Sequence, residues 1–221
     1  MFNPSIKERI INAIKTRTMK FTASLKRKQL KNIDFSIISN NCWGGGIYEE
    51  YGLRKNSPTV GCYIFSDDYL KFVKNLRYYL TQDLKIISCD KARHKQWIIE
   101  DGNRDAPIGV LDDIEIIFVH YKDPEIAYEK WSKRVQRVNW DNLIFKFSFQ
   151  NHATIDDLKE FEEAKLPGKK IMYVNRNDFP YKCGIYYPGF ENDDQIYNDT
   201  FCWRRYFDVA AFINNGVLKS R

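Results

Sequence analysis

The chain has 221 residues, 43% of them hydrophobic and 29% charged, with a formal net charge of +6. That length favours one large core, and the balance is ordinary for a soluble globular protein. Five scattered cysteines without a CxxC pair argue against a disulfide framework or a zinc site. With neither a signal peptide nor a run near the roughly 18 apolar residues of a membrane span, the expected home is the cytoplasm.

Basic charge gathers at the start: residues 1–32 hold nine Lys/Arg against Glu8 alone, which leaves the remainder close to neutral. Ile6, Ile10, Ile11 and Ile14 recur at helical spacing, and Met19, Phe21 and Leu25 extend the apolar content. Ser5 and Glu8 have the spacing of a capping box. Such an arm either lies peripherally on an anionic membrane surface, through residues 1–31, or packs on the body with a solvated Lys/Arg face. No nucleic-acid-binding motif accompanies the charge, so nucleic acid is not expected as a partner. The chain divides into a basic arm, 1–32, and a single domain, 33–221.

The domain opens on an apolar run, Phe35 to Ile38, that reads as a buried strand. It stops in Ser39-Asn40-Asn41-Cys42 and the triplet Gly44 to Gly46, which reads as a glycine-rich turn at a strand's carboxyl end, where open α/β sheets bind ligands. A short helix is expected over Ile47 to Gly52, a loop over Arg54 to Val60, and a buried segment over Gly61 to Phe65. Ser66 is placed as the cap of a helix from Asp67 to about Gln82. Lys85–Ser88 and Gln96–Ile99 read as short strands, and Ile114–Val119 as the strongest strand, ending in His120-Tyr121. Asp123 and Pro124 start a helix that runs to about Val138. Asn142–Ser148 is a strand, Thr154 with Asp157 caps a helix over Ile155 to Ala164, and Lys169–Val174 is a further strand. The stretch 175–200 reads as a long loop, and a last helix spans about Arg204 to Ile213. This alternation predicts an α/β layered domain with a mostly parallel sheet and helices on both faces, plus the N-terminal basic helix.

Cys42 and His120 both follow strong strands, so in a parallel sheet they emerge on one edge. There the thiol can act as nucleophile with the imidazole as base, and amides around Gly44 and Gly45 can hold an oxyanion. Equally, Cys42 fits a small buried residue and His120 a strand terminator. Ser39, Asn40 and Asn41 offer hydrogen bonds to a ligand, although the asparagines also suit an Asx turn. Trp131, Arg134 and Arg137 are spaced by three, so the two guanidinium groups can converge on phosphate, or pair with Glu125, Glu129 or Asp141. Tyr186, Tyr187, Trp203, Arg204 and Arg205 form a second aromatic and basic cluster. The glycine triplet lacks phosphate-loop spacing, and no His/Cys/Asp spacing indicates a metal.

Ile38-Ser-Asn-Asn-Cys-Trp-Gly-Gly45, the Ser57-Pro-Thr59 loop, and His120-Tyr121 followed by Trp131-Ser-Lys-Arg-Val-Gln-Arg137 resemble the DUF1919 family of bacterial exopolysaccharide biosynthesis proteins. The resemblance covers the chain after about residue 33 and adds Ser57 and Tyr121 to the candidate ligand-binding residues. Asn41-Cys42 after a first strand is also similar to polysaccharide acetyltransferases that bind coenzyme A, which implies acetyl-CoA as the cofactor. Together these imply a cytoplasmic-face enzyme of surface polysaccharide assembly that transfers an acyl group to a sugar hydroxyl. In that reading Arg134 and Arg137 hold a phosphate of coenzyme A or of a lipid-linked saccharide. A glycosyl- or phospho-sugar transferase using the same cleft, and a non-catalytic carbohydrate-binding or scaffold protein, are the alternatives.

Overall fold

A computed structural model describes residues 13–14, 18, 21–178, 181–199 and 206–218. Its main sheet is parallel, with strands β1 (Ser36–Ser39), β5 (Leu143–Ser148), β6 (Gly168–Val174) and β7 (Gly184–Tyr186) in the order β1-β5-β6-β7. A separate antiparallel sheet holds β2 (Lys85–Ile87), β3 (Ile108–Leu111) and β4 (Ile114–Ile117). The described helices begin with residues 21–27 (α1), followed by α2 (Trp43–Glu50), α3 (Ser66–Lys74), α4 (Leu76–Thr81) and α5 (Lys95–Glu100). After them come α6 (Pro124–Val135), α7 (Ile155–Glu163) and α8 (Val209–Asn215). This is the mostly parallel, layered α/β fold that the alternation of elements predicts.

Side chains along a strand alternate between faces, and the main sheet uses both. Ile38, Phe145, Phe147 and Met172 pack with Tyr69 and Phe72 of α3, Trp131 of α6, and Leu158 and Phe161 of α7. On the other face Ile37, Ile144, Ile171 and Tyr173 pack with Trp43, Ile47 and Tyr48 of α2 and with Phe212 and Ile213 of α8. Lys146 falls on this second face, a charged residue in an otherwise apolar strand, and is fully buried.

The glycine triplet is helix, not turn. Gly44 to Gly46 form the first turn of α2, and none has a left-handed backbone. A Cβ on Gly44 would lie 3.0 Å from Ile37 Cγ2, and one on Gly45 3.2 Å from Val60 Cγ1, so the small residues let α2 pack tightly on β1 and the following loop. Edge strand β1 is completed by hydroxyl groups in place of a neighbouring strand. Tyr48 Oη accepts from Ile37 N and donates to Phe35 O, both at 3.0 Å. Thr59 Oγ1 accepts from Ser39 N at 3.2 Å and donates to Ile37 O at 3.4 Å.

Several elements differ from expectation for identifiable reasons. The helix expected over 67–82 breaks at Asn75, a weak helix former, into α3 and α4. Ser66 does not cap it: its hydroxyl donates to Gln150 O and Asn151 O, at 3.1 and 3.3 Å. The strand expected over 96–99 is α5, which sends Ile98 into the core and stacks Trp97 between His94 and His152, at 4.8 and 4.2 Å between ring centroids. The strand beginning at Ile114 ends at Ile117 and pairs with β3 through a two-residue Asp112-Asp113 hairpin, Asp112 having φ 53°. It therefore belongs to the small sheet. The 175–200 stretch contains β7 and buries Tyr187, Phe190 and Ile196.

The caps at Asp123 and Thr154 form as expected, the latter as a full capping box with Asp157. The final helix ends at Gly216, which has φ 70°, while the residues expected to begin it, Arg204 and Arg205, lie outside the described residues. So do Trp203, the Ser5–Glu8 cap and much of the arm. What is described of the arm packs on the body: Ala23 and Leu30 are buried, Lys26 pairs with Glu50 at 2.5 Å, and Asn214 bonds Lys31 N and Gln29 O, both at 2.7 Å.

If α2 presses on β1 only through its first glycines, substitutions within the triplet separate. Nothing lies within 4 Å of a Cβ on Gly46, so Gly46→Ala should gain stability, up to the ~1 kcal/mol by which alanine exceeds glycine in a helix. Gly44→Val should lose about 1–3 kcal/mol by overpacking against Ile37. Urea unfolding reads both, and equal effects would contradict the packing described.

Candidate functional site

β1 and β5 end side by side, and the residues just beyond them build one polar corner. The Asn40 carboxamide extends their pairing past the last strand residue, accepting from Ser148 N at 3.0 Å and donating to Ser148 O at 3.1 Å. Asn40 is fully buried, so its amide group serves the fold and not a ligand. Asn41 lies at the floor of an open cleft. Its Oδ1 accepts from Ser39 Oγ at 3.0 Å, from Trp43 N at 3.1 Å and from Lys146 Nζ at 3.0 Å. Its Nδ2 donates to Gln150 Oε1 at 2.6 Å and to both Asp199 oxygens at 2.9 Å.

Lys146 and Asp199 form an ion pair with about 1% or less of either side chain exposed. Burial pulls the lysine below its ordinary pKa, and the Asp199 carboxylate opposes that shift. The ammonium also lies 5.1 Å from the Tyr173 ring centroid and 5.9 Å from that of Trp43. Ser148 Oγ and Asn175 Oδ1 are buried without a hydrogen-bond partner among the described residues, orphan groups that usually need water or a ligand.

Cys42 and His120 reach the same short segment but not each other. The Cys42 thiol donates to Cys62 O at 3.7 Å, and His120 N donates to the neighbouring Gly61 O at 3.3 Å. The His120 side chain is exposed, and no hydrogen bond joins it to Cys42. The two do not share the expected parallel-sheet edge, because His120 follows β4 of the antiparallel sheet. Burial, and then the negative charge of Asp199, push the Cys42 thiol up to about 12, with Lys146 opposing, so near neutral pH it is not a thiolate.

The other motif residues converge on the same loop for structural reasons. Ser57 is buried and shares a 3.1 Å hydrogen bond with Thr59, steadying the hydroxyl that completes β1. Tyr121 and Arg134 donate to Val60 O at 3.1 and 2.7 Å, and Arg134 also donates to the Tyr121 hydroxyl. Gly61 has φ 82°, and a Cβ there would fall 2.8 Å from the Tyr121 ring. Trp131 is in the core against Phe72 and Phe118. Arg134 turns inward to Val60, and Arg137 follows the end of α6. Gly44 and Gly45 are buried in the first turn of α2, close against Ile37 and Val60.

A family of proteins carrying a domain of unknown function, DUF1919, has a sequence model that matches residues 12–214. The chain belongs to the DUF1919 family. An uncharacterized protein of Haemophilus influenzae (strain ATCC 51907 / DSM 11121 / KW20 / Rd) is 30% identical over 212 residues, covering 93% of this chain and 95% of that protein. The family match begins at residue 12, so it takes in most of the basic arm that the motifs alone left out.

In this DUF1919 protein the cleft above Asn41 has a volume of about 370 Å³. One wall comes from the main sheet's end, with Asn41, Cys42, Gln150 and Asn151; another from the small-sheet side, with Tyr63, Asp101, Asn103 and Val119; a third from Gln195, Tyr197, Asn198 and Asp199. Asp101 accepts from the Tyr63 hydroxyl at 3.2 Å, and crowding by protein raises its carboxyl pKa, partly offset by that bond. Of the residues singled out from the sequence, Asn41 and Cys42 line the cleft. Lys146 carried a usable signal, a lone charge within an apolar strand; Asp199 and Asp101, in polar runs, carried none. Asp67, Asp68 and His94 also come within ligating distance of one another. The Arg93 guanidinium already occupies Asp68 there.

Removing half of the buried pair isolates the other charge. Lys146→Met should cost about 3–5 kcal/mol, and adding Asp199→Leu should recover much of it. Denaturant unfolding that finds the two losses additive would refute the coupling. For Cys42 the folded pKa lies above the ordinary 9.0, so between 9.0 and about 12 only the unfolded chain loses the proton, and this group's stabilisation falls as pH rises through that window. Alkylation of Cys42, followed on its own peptide, should accelerate through pH 9.0 without levelling; an inflection below 9.0 would show a thiolate and contradict the site described.

Proposed function

We propose that this protein is a transferase of cell-surface or exopolysaccharide assembly that binds a sugar in the cleft above Asn41 and transfers a group, acetyl first, to one of its hydroxyls. The cleft lining carries the reading: above the buried Asn41 and Asp199 stand side-chain amides of Asn103, Gln150, Asn151, Gln195 and Asn198, the carboxylate of Asp101, and the rings of Tyr63 and Tyr197. Amides and carboxylates meet the paired donors and acceptors of sugar hydroxyls, and tyrosine offers a flat apolar face with a polar tip. The placement at the carboxyl ends of parallel strands supports it.

The chemistry available favours direct transfer over a covalent thioester. With burial pushing its thiol up to about 12, Cys42 serves in this reading as a hydrogen-bond donor in the wall. Asp101, its basicity increased by crowding, is the carboxylate suited to accept the proton of a bound hydroxyl. As the oxygen bonds to the acyl carbon, the donor's thiolate leaves with its electron pair and the proton passes to it. The acyl-thioester donor, coenzyme A in this reading, rests on the family resemblance. Reaction at the inner face of the membrane draws support from the basic arm; no helix among the described residues is long and apolar enough to cross a bilayer.

Thermal-shift and calorimetric titration with oligosaccharides, nucleotide sugars and acetyl-CoA test this. Oligosaccharides should stabilise the protein and Asn103→Ala should weaken that effect. Asp101→Asn should keep binding while lowering transfer by about 10²–10⁴-fold, and Cys42→Ser should keep transfer. Binding without turnover from any acyl donor would leave a carbohydrate-binding protein, and stabilisation by nucleotide sugars alone a glycosyl or phospho-sugar transferase. A cleft that binds no saccharide ends the proposal.

A further inference from the structure

The two sides of α1 meet different surroundings. One side docks on the body through Ala23, the Lys26–Glu50 pair and a 3.2 Å hydrogen bond from Arg27 to Gly52 O. On the other, Phe21 and Leu25 recur at i and i+4, one face of the helix, and stand 84% and 65% exposed; Ile14, earlier in the arm, is 58% exposed. A helix already anchored by one face has no folding reason to present phenylalanine and leucine on the opposite one.

Charge decides what covers this face. Lys28 is exposed just past the end of α1, within an arm that holds nine basic residues and one acid. A second copy of this chain would bring two such arms together in like-charge repulsion, whereas an anionic bilayer neutralises them. We propose that Ile14, Phe21 and Leu25 form a membrane-docking edge that enters the headgroup and acyl boundary of an anionic phospholipid bilayer. The basic residues of the arm engage the headgroups, and the body remains on the aqueous side, tethered through the opposite face of α1. This sharpens the membrane placement offered above but is independent of the chemistry in the cleft.

Co-sedimentation of the full chain with vesicles of phosphatidylcholine alone, and of phosphatidylcholine mixed with phosphatidylglycerol, tests the proposal. Binding is expected to the mixed vesicles, to weaken with added salt, and to drop about tenfold or more in the Phe21→Ser/Leu25→Ser variant. Both residues are largely exposed, so the variant should unfold at the wild-type temperature and keep any saccharide binding in the cleft, which separates this test from that of the transferase reading. Equal sedimentation of variant and wild type, or no binding to either vesicle, overturns it. So does a wild-type dimer, seen by light scattering, that the double substitution dissolves.

Discussion

A lysine ammonium buried in a parallel sheet is the constraint around which the carboxyl edge of this fold is arranged. Moving such a charge out of water costs several kcal/mol, and only close compensation restores the balance. Lys146 obtains it from Asp199 and from the Asn41 carbonyl oxygen, with the rings of Tyr173 and Trp43 alongside. Asp199 belongs to the irregular 175–200 stretch, so the ion pair fastens that stretch over the ends of β1 and β5. Asn41 hydrogen-bonds both members and Gln150 as well, which makes one amide group the junction of three chain segments. The cleft exists because these three segments are held apart at fixed distance while their outer polar atoms face solvent.

A second constraint is the open side of β1. With no strand beyond it among the described residues, its backbone groups are satisfied by Tyr48 and Thr59, and Thr59 in turn by Ser57. The carbonyls of Val60, Gly61 and Cys62 then collect Tyr121 and Arg134, His120 N, and the Cys42 thiol respectively. Residues that looked like a catalytic constellation thus assemble chiefly as a scaffold. Their convergence is real, but most of their polar atoms point into the protein, and the groups facing the cleft are largely different ones.

Local signals proved reliable wherever the determining interaction lies within a few residues. The capping box at Thr154, the cap at Asp123, the stop at Gly216 and the apolar strands β1, β5 and β6 all follow from short-range chemistry. The glycine triplet shows the opposite case, since glycine locally favours a turn over a helix and the close packing on Ile37 and Val60 goes with the helix. Likewise the four residues 96–99 lack a period long enough to separate strand from helix, and the outcome rests on His94 and His152 flanking Trp97. The break at Asn75 and the small antiparallel sheet depend on which core each segment enters, a long-range matter.

By itself the sequence determined the layered α/β class, the main strands, the capped helices, the basic arm and the position of Asn41 and Cys42 at a strand's end. Each of these follows from periodicity, capping geometry or charge carried by neighbouring residues. Only the tertiary structure decided that Lys146 meets Asp199, 53 residues further along, that Cys42 and His120 follow strands of different sheets, and that the cleft is walled by amides and carboxylates. Those outcomes depend on which strands pair and where the long connections return, and no short window of residues contains that information.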